Sequence, residues 1–421
     1  MDFAPLLAAV DSPPLSMELR IPLSALNFLE FAIWGAWFVV LGQYLNAINF
    51  SRKAIGSIYA TMSLGAIFSP MFVGAIADRY FAAQLLMGVL HLIGAGLLCW
   101  MAYIHTERKF FWVTLLYSLV YTPTMSLTNA VGLANIPDSN RDFPMIRVFG
   151  TIGWIAANLA LKLVLKPGQP VNNRPLLLAA VLSLVLGVFS FFLPNTPPAA
   201  SAEGLTVAES FSAFFSTMGD AVGLLKETQF ATFFGVSLLI SIALAFYYSF
   251  TSLYLEKRIG VRPDNVGPLM TLGQWVELAV MFTLPWFLAT LGIKWVLAVG
   301  MAAWGVRYAI FALEKPFALI VFAVAIHGIC FDFFFAAGMI HVGNIAPEFA
   351  KASAQALFLM VTYGIGMYLG TEASGWLNQA LTTKVVDPKT GAASDVTDWR
   401  TFWAVPAVGS LVSLVLFLIL T

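Results

Sequence analysis

The sequence predicts an all-α membrane protein of twelve transmembrane helices in two six-helix bundles. Three observations predict it. The 421 residues are 60% hydrophobic and only 10% charged, against about 25% charged in soluble domains. Apolar runs of roughly 20 residues, each long enough to cross a ~30 Å hydrocarbon core, recur along the whole chain. They cover 22–47, 54–77, 81–104, 110–132, 143–165, 175–194, 229–254, 264–289, 293–313, 316–342, 353–377 and 400–420. Finally, the longest polar interval falls in the middle, with six runs on each side. The runs are continuously apolar and do not alternate every second residue, so they read as helices and not as a β-barrel.

Taken in order, the chain opens with a tail, 1–20. Its first sixteen residues, MDFAPLLAAVDSPPLS, lack the basic start of a signal peptide, and Met17 offers a second start. The first bundle, 21–194, holds spans 1 to 6. A linker at 195–228 follows. Its first part, NTPPAASAEGLTVAE, is rich in Pro, Ala and Ser. Its second part places Phe211, Phe214, Phe215, Val222 and Leu225 at helical spacing, the pattern of a helix lying on the membrane surface. The second bundle, 229–421, holds spans 7 to 12.

Several function classes drop out. Formal net charge is zero, with 22 basic and 22 acidic residues, so no electrostatic footprint for nucleic acid exists. Cys99 and Cys330 both fall within spans and read as small core residues. His91, His105 and His341 show no metal-ligand spacing. Little sequence remains for a soluble catalytic domain, and no Walker motif or nucleophile elbow is present. No metal, no cofactor and no enzymatic activity are expected.

Function must therefore sit among the charges inside the spans: Glu30, Arg147, Glu277 and Asp332. Each costs roughly 2.5–3.5 kcal/mol at mid-membrane on insertion scales, so each is expected to face a wet cavity or a partner. Asp332 is flanked by Phe331, Phe333 and Phe334. A carboxyl among apolar rings is costly to ionise, which suits a group that binds and releases a proton; the alternative is a protonated acid that only bonds a neighbouring helix. Gln274 and Glu277 share one face of span 8, either as solute ligands or as an interhelical clamp. Arg147 follows Pro144 by three residues, with Thr151 and Trp154 on the same helical stripe. That threonine could bond a solute and that indole could stack on a base. Glu30, at the helical rise of about 1.5 Å per residue, lies roughly 15 Å into span 1. It reads as a second coupling site, a solute ligand, or a protonated acid bonding Trp34, Gln43 or a neighbouring helix. Three acids against Arg147 leave two excess negative charges, so the set should hold at least one proton.

The loop between spans 2 and 3 reads Gly74-Ala-Ile-Ala-Asp78-Arg79. It resembles the G-x-x-x-D-R signature of the major facilitator superfamily, where the aspartate caps a helix and pairs with basic residues to latch one conformation. Two six-helix bundles around a central linker are also that superfamily's architecture. Three further segments resemble the bacterial nucleoside:proton symporters, the subfamily of nucleoside and xanthosine permeases. They are Phe28-Leu-Glu-Phe-Ala-Ile-Trp-Gly-Ala-Trp37, Asp142-Phe-Pro-Met-Ile-Arg147-Val-Phe-Gly-Thr-Ile-Gly153, and Phe331-Asp332-Phe-Phe with Ala352-Ser-Ala-Gln355. Gln274-x-x-Glu277, the Arg307 neighbourhood and Asp398-Trp399 match as well. The resemblance covers nearly the whole chain from Met17.

It implies that Asp332 couples transport to protons, with Glu277 as a further candidate; Glu30, where the best-known members carry glutamine, is a candidate on its depth in span 1 and the charge count alone. It also implies that Arg147, Thr151, Trp154, Gln274, Glu277, His327, Phe331 and Tyr248 contact the solute, a nucleoside. The proton is then the coupling ion, and a monomer in the bacterial inner membrane is expected, with both termini cytoplasmic. Two departures bear on substrate. Two amides of span 7 in characterised uridine binders are Ala245 and Tyr248 here, and a span-10 tyrosine is His327. Fewer amides and more rings favour a flatter contact surface, which suits a purine nucleoside but also another polyol or heterocycle. His327 could also join the proton path. One observation opposes the implied orientation: 6 loop Lys and Arg residues would be cytoplasmic and 14 outside, the reverse of the positive-inside rule.

Overall fold

The computed structural model describes residues 13–197, 209, 212, 216, 219, 222–347, 351–386 and 393–420, with backbone alone at 69–80, 140, 352–353 and 393. The latch residues Gly74, Asp78 and Arg79 lie on a described helix, but their side chains fall outside the described ones. Half of the expected surface helix at 210–227, including Phe211, Phe214 and Phe215, lies outside the described residues too.

The expected spans fall on helices. Span 1 is α1 (Met17–Trp37) with α2 (Leu41–Ala47); spans 2 to 6 are α3 (Arg52–Tyr80), α4 (Ala83–Met101), α5 (Glu107–Ala134), α6 (Ser139–Val164) and α7 (Arg174–Ser190). Span 7 is α8 (Thr228–Lys257). Spans 8 and 9 form α9 (Pro263–Leu313), which at 51 residues would be about 77 Å long if straight. It breaks at Gly292, whose φ of 76° favours a residue without a Cβ. Span 10 is α10 (Phe317–Ala325), α11 (His327–Phe331) and α12 (Ala337–Ile345), joined between α11 and α12 by a π turn at Asp332–Ala336. Span 11 is α13 (Lys351–Leu359) and α14 (Met367–Ala380) around a second π turn, Met360–Gly366. Span 12 is α15 (Trp399–Leu420). Before it stands a hairpin of β1 (Thr382–Val386) and β2 (Ala393–Thr397), with Thr382 opposite Thr397. Asp398 starts α15 by accepting from the Thr401 N–H and hydroxyl at 3.1 and 2.6 Å. Those bonds hold its carboxyl below the usual carboxylate range.

In the first half α1 packs on α6 and α7, and α4 on α5 and α7; in the second α9 packs on α15 and α11, and α8 on α14 and α15. The halves meet where α3 lies along α14 and α6 along α9. Glycines permit the closest approaches, as the sequence suggests. A Cβ on Gly153 would overlap the Phe28 carbonyl, and one on Gly370 would meet Ala245 and the Ile242 backbone.

Hydrogen bonds between the halves gather at the hairpin end. Gln43 donates to Glu256 at 2.6 Å, the Arg52 N–H to Gln379 at 3.0 Å, Ser57 to Glu372 at 2.9 Å and the Gly168 N–H to Asp264 at 3.0 Å. Lys53 lies 3.9 Å from the Trp376 ring centroid. This end of the molecule is closed.

Span 1 is broken at 38–40, a finding its unbroken apolar run does not announce. Backbone groups freed in a membrane need partners. The Tyr59 hydroxyl supplies both: it donates to the Phe38 carbonyl at 2.9 Å and accepts from the Gly42 N–H at 3.0 Å. Tyr59→Phe strands two buried backbone groups and is expected to cost about 1–3 kcal/mol. Thermal unfolding in detergent checks this as a melting temperature several degrees below wild type.

Candidate functional site

The helical stripes carry the intramembrane charges to two different places. Arg147 and Glu277 act on each other across the halves and Asp332 acts on Glu277 within the second, whereas Glu30, though within charge reach of Arg147, is bonded inside the first.

α6 begins at Ser139, earlier than expected, so Arg147 sits about two turns inside the helix. Its guanidinium carbon stands 4.2 Å from the Phe31 ring centroid. A Cβ on Gly150 would come within 2.6 Å of Arg147 Nη1 and 2.8 Å of Phe31. The glycine thus makes room for the cation over its ring. Arg147 and Glu277 lie within electrostatic reach of each other without a direct ion pair, and Tyr363 faces both. Glu277 is held where span 8 crosses span 10. A Cβ on Gly328 would overlap its backbone, and one turn earlier Gly273 meets His327. Gln274 and Glu277 are both half-buried.

Asp332 is 0% exposed. Neither carboxyl oxygen meets a hydrogen-bond donor among the described residues. It opens the π turn of span 10, and Tyr363 lies in the π turn of span 11. Such turns recur at functional sites because they re-aim side chains that regular helix would hide. Asp332 feels the charge of Glu277, and Tyr363 feels all three ionisable side chains.

Aromatic rings link the two halves past these charges. The line runs Trp154, Trp34, Phe38, Tyr248, His327, Phe331, Phe335, Tyr363, with successive centroids 5.2, 5.3, 5.7, 6.3, 5.7, 5.3 and 5.8 Å apart. Four of the expected solute contacts, Trp154, Tyr248, His327 and Phe331, stand on it. Trp154 is 9% exposed and packs edge-on against Trp34, so its ring is shared between helix packing and the line. Thr151 is half-buried one turn after Arg147.

Glu30 is 0% exposed and bonds to side chains of two other helices, not to Trp34 or Gln43. The Thr124 hydroxyl stands 2.7 Å from its Oε1 and 2.6 Å from the Tyr121 carbonyl, and His91 Nε2 and the Thr128 hydroxyl stand 2.9 and 3.4 Å from its Oε2. Tyr121 donates to its carbonyl at 2.8 Å. Ser183 donates its hydroxyl proton to the His91 carbonyl at 2.8 Å, so at 3.3 Å its oxygen accepts from Nδ1–H. His91 thus bridges Ser183 and Glu30 through its two ring nitrogens.

The residue that pattern reading missed is Arg307. It is 0% exposed in span 9, with Nη1 2.8 Å from His327 Nδ1 and the guanidinium carbon 3.5 Å from the Tyr247 centroid. Counting it changes the balance. Three carboxyls (Glu30, Glu277, Asp332) then stand against two guanidiniums (Arg147, Arg307), and the expected excess of two negative charges falls to one. No spacing rule marks Arg307; its charge deep in span 9 and the resemblance of its neighbourhood were the signals.

The family model described as nucleoside H+ symporter matches residues 17–421. The chain belongs to the nucleoside H+ symporter family. It is 38% identical over 412 residues to the putative nucleoside transporter YegT of Escherichia coli K12, covering 96% of this chain and 94% of that one. The nucleoside permease NupG of the same organism is 31% identical over 413 residues, 94% of each chain. A crystal structure of nucleoside transporter NupG superposes with a TM-score of 0.83 over 96% of this chain and 99% of that one, at 31% identity. The fold is the major facilitator fold of twelve helices, and this family's members are membrane permeases, not enzymes.

The Glu30 environment generates a test. Glu30→Gln keeps an acceptor for Thr124 and a donor toward His91, and is expected to stay within about 1 kcal/mol of wild type. Glu30→Leu leaves the buried His91 Nε2 unpaired and should cost about 2–3 kcal/mol. Thermal unfolding of both variants distinguishes these outcomes.

Proposed function

We propose that this protein imports a nucleoside together with a proton by alternating access, in the inner membrane of a bacterium with both termini cytoplasmic. The observation that carries the proton half is Asp332: a fully buried carboxyl without a hydrogen-bond donor among the described residues, at a π turn, beside a second acid. An ionised carboxylate there would bear its desolvation cost uncompensated, so the closed-end state described above holds a proton on this residue. Releasing it requires the site to open to water. A carrier whose acids are neutralised can switch between states, whereas a charged one cannot easily do so.

The nucleoside half is supported by the aromatic line and by the kinship to nucleoside carriers. A base would stack among Tyr248, His327 and Phe331, with Trp154 at the far end of the line. Arg147, Thr151, Gln274 and Glu277 would bond its polar edge or the ribose hydroxyls. Glu277, within reach of both Arg147 and Asp332, links solute and proton and is the second coupling candidate. Glu30 we assign to holding the first bundle together, since its bonds are complete without solute. Gly74, Asp78 and Arg79 would latch one conformation. The proton is the coupling ion and no cofactor enters this reading; the carrier works as a monomer.

The experiment is uptake of radiolabelled adenosine and uridine into proteoliposomes with and without an inward proton gradient. Wild type should accumulate nucleoside only with the gradient. Asp332→Asn should abolish accumulation while retaining nucleoside exchange at equal concentrations. Accumulation by Asp332→Asn would overturn the proton assignment; no uptake of either nucleoside by folded wild type would overturn the substrate class.

A further inference from the structure

Arg307 and His327 carry an inference about selectivity that rests on the nucleoside reading. A guanidinium in a protein only donates hydrogen bonds and keeps its charge. At 2.8 Å from Arg307 Nη1, His327 Nδ1 must therefore offer its lone pair. A second proton on the ring would set one cation's N–H against another's. The ring is consequently neutral and carries its proton on Nε2. Packing holds it there: Tyr247 stacks on it at 5.0 Å and 22°, and Tyr248 and Trp304 stand edge-on at 6.3 and 6.1 Å. The ionisable groups around the ring are Arg307 on span 9, Tyr247 and Tyr248 on span 7, and Cys330 on its own span. Arg307 is pinned in turn. Its guanidinium lies over Tyr247, and no carboxylate reaches it within ion-pair distance among the described residues.

We propose that Arg307 is a positioning residue that fixes His327 as a hydrogen-bond donor, so the site selects nucleosides whose base presents an accepting carbonyl and disfavours those presenting an amino group. A tyrosine hydroxyl, which the resemblance places at this position in relatives, both donates and accepts. An imidazole locked at Nδ1 offers only a donor. An amino group facing it would leave two donors opposed, and polar mismatch of that kind is what makes hydrogen-bonding pockets discriminate.

Two pairs of nucleosides, each differing at one edge of the base, test this: inosine against adenosine, and uridine against cytidine. In proteoliposomes the wild-type ratio of kcat/KM should favour the carbonyl member of each pair about tenfold. Arg307→Met frees the ring to turn its lone pair to the solute, and His327→Gln supplies a side chain that both donates and accepts. Either change should bring both ratios within about twofold of one. A wild-type ratio at or below one, or a ratio unchanged in His327→Gln, overturns the proposal. Nitrogen-15 NMR of histidine-labelled wild type reads the lock directly. With only four histidines, the His327 signals are assigned by their loss in His327→Gln. A ring protonated at Nε2 and unchanged between about pH 5 and 8 supports it, whereas protonation at Nδ1 or titration in that range overturns it. The NMR result stands even where Arg307→Met fails to fold. Were none of the four nucleosides transported, the functional reading would fall and the selectivity with it, while NMR alone would still decide the lock.

Discussion

The hydrocarbon core's intolerance of unpaired charge is the constraint on which the rest of this structure depends. Glu30, Arg147, Glu277, Arg307 and Asp332 all lie deep in the membrane-spanning region, and the fold disposes of them differently. Glu30 is bonded to His91 inside one bundle. Arg307 spreads its charge over Tyr247 and donates to an imidazole. Arg147 sits over Phe31 within reach of Glu277. Asp332 meets no donor among the described residues, and it lies in the second half beside Glu277, which faces Arg147 across the interface of the halves. Closure at the hairpin end, where Gln43, Arg52, Ser57 and Gly168 bond across, defines the state described here; alternating access would break these bonds to open that end.

Much of this was legible in the sequence, because the signals concerned are local and physical. A run of twenty apolar residues can do little but cross a bilayer, and the expected spans coincide with helices to within a few residues. The stripe Arg147, Thr151, Trp154 and the pair Gln274, Glu277 follow from helical spacing alone. What stayed hidden depends on how helices meet. The backbone groups freed by the break in span 1 are satisfied by a hydroxyl from span 2, so no property of residues 38–40 reveals it. The two π turns bring Asp332 and Tyr363 toward the same charges, yet neither segment is compositionally unusual. Glu30 pointed toward a cavity only on the assumption that every charge on span 1 faces one; its partners His91, Thr124 and Thr128 are scattered over two other spans. Arg307 escaped for the same reason, since its meaning lies in His327, twenty residues away on the next span.

The kinship to nucleoside carriers and the aromatic line support the same substrate class from independent directions. Relatedness concerns the whole chain from Met17 to Thr421. The ring line is a property of this chain's own side chains, including Tyr248 and His327, two positions where it departs from characterised uridine binders. Departures that lengthen a continuous stacking surface do not dismantle a base-binding site. In the reading proposed above, they would replace amide recognition of a base edge with stacking plus one directed donor.

The contrast between Glu30 and Asp332 separates a structural acid from a working one on physical grounds. Both are carboxyls with no exposed surface, and composition cannot tell them apart. Glu30 has partners in two threonines and an imidazole, so removing or adding a proton would break bonds in a packed bundle and gain nothing. Asp332 has no such bonds to lose. Its protonation state is coupled instead to what lies opposite: Glu277, Tyr363, and whatever enters between the halves. A proton held by many bonds stabilises a fold. A proton held by burial alone is released when burial ends, and that is the property a symporter requires of its coupling residue.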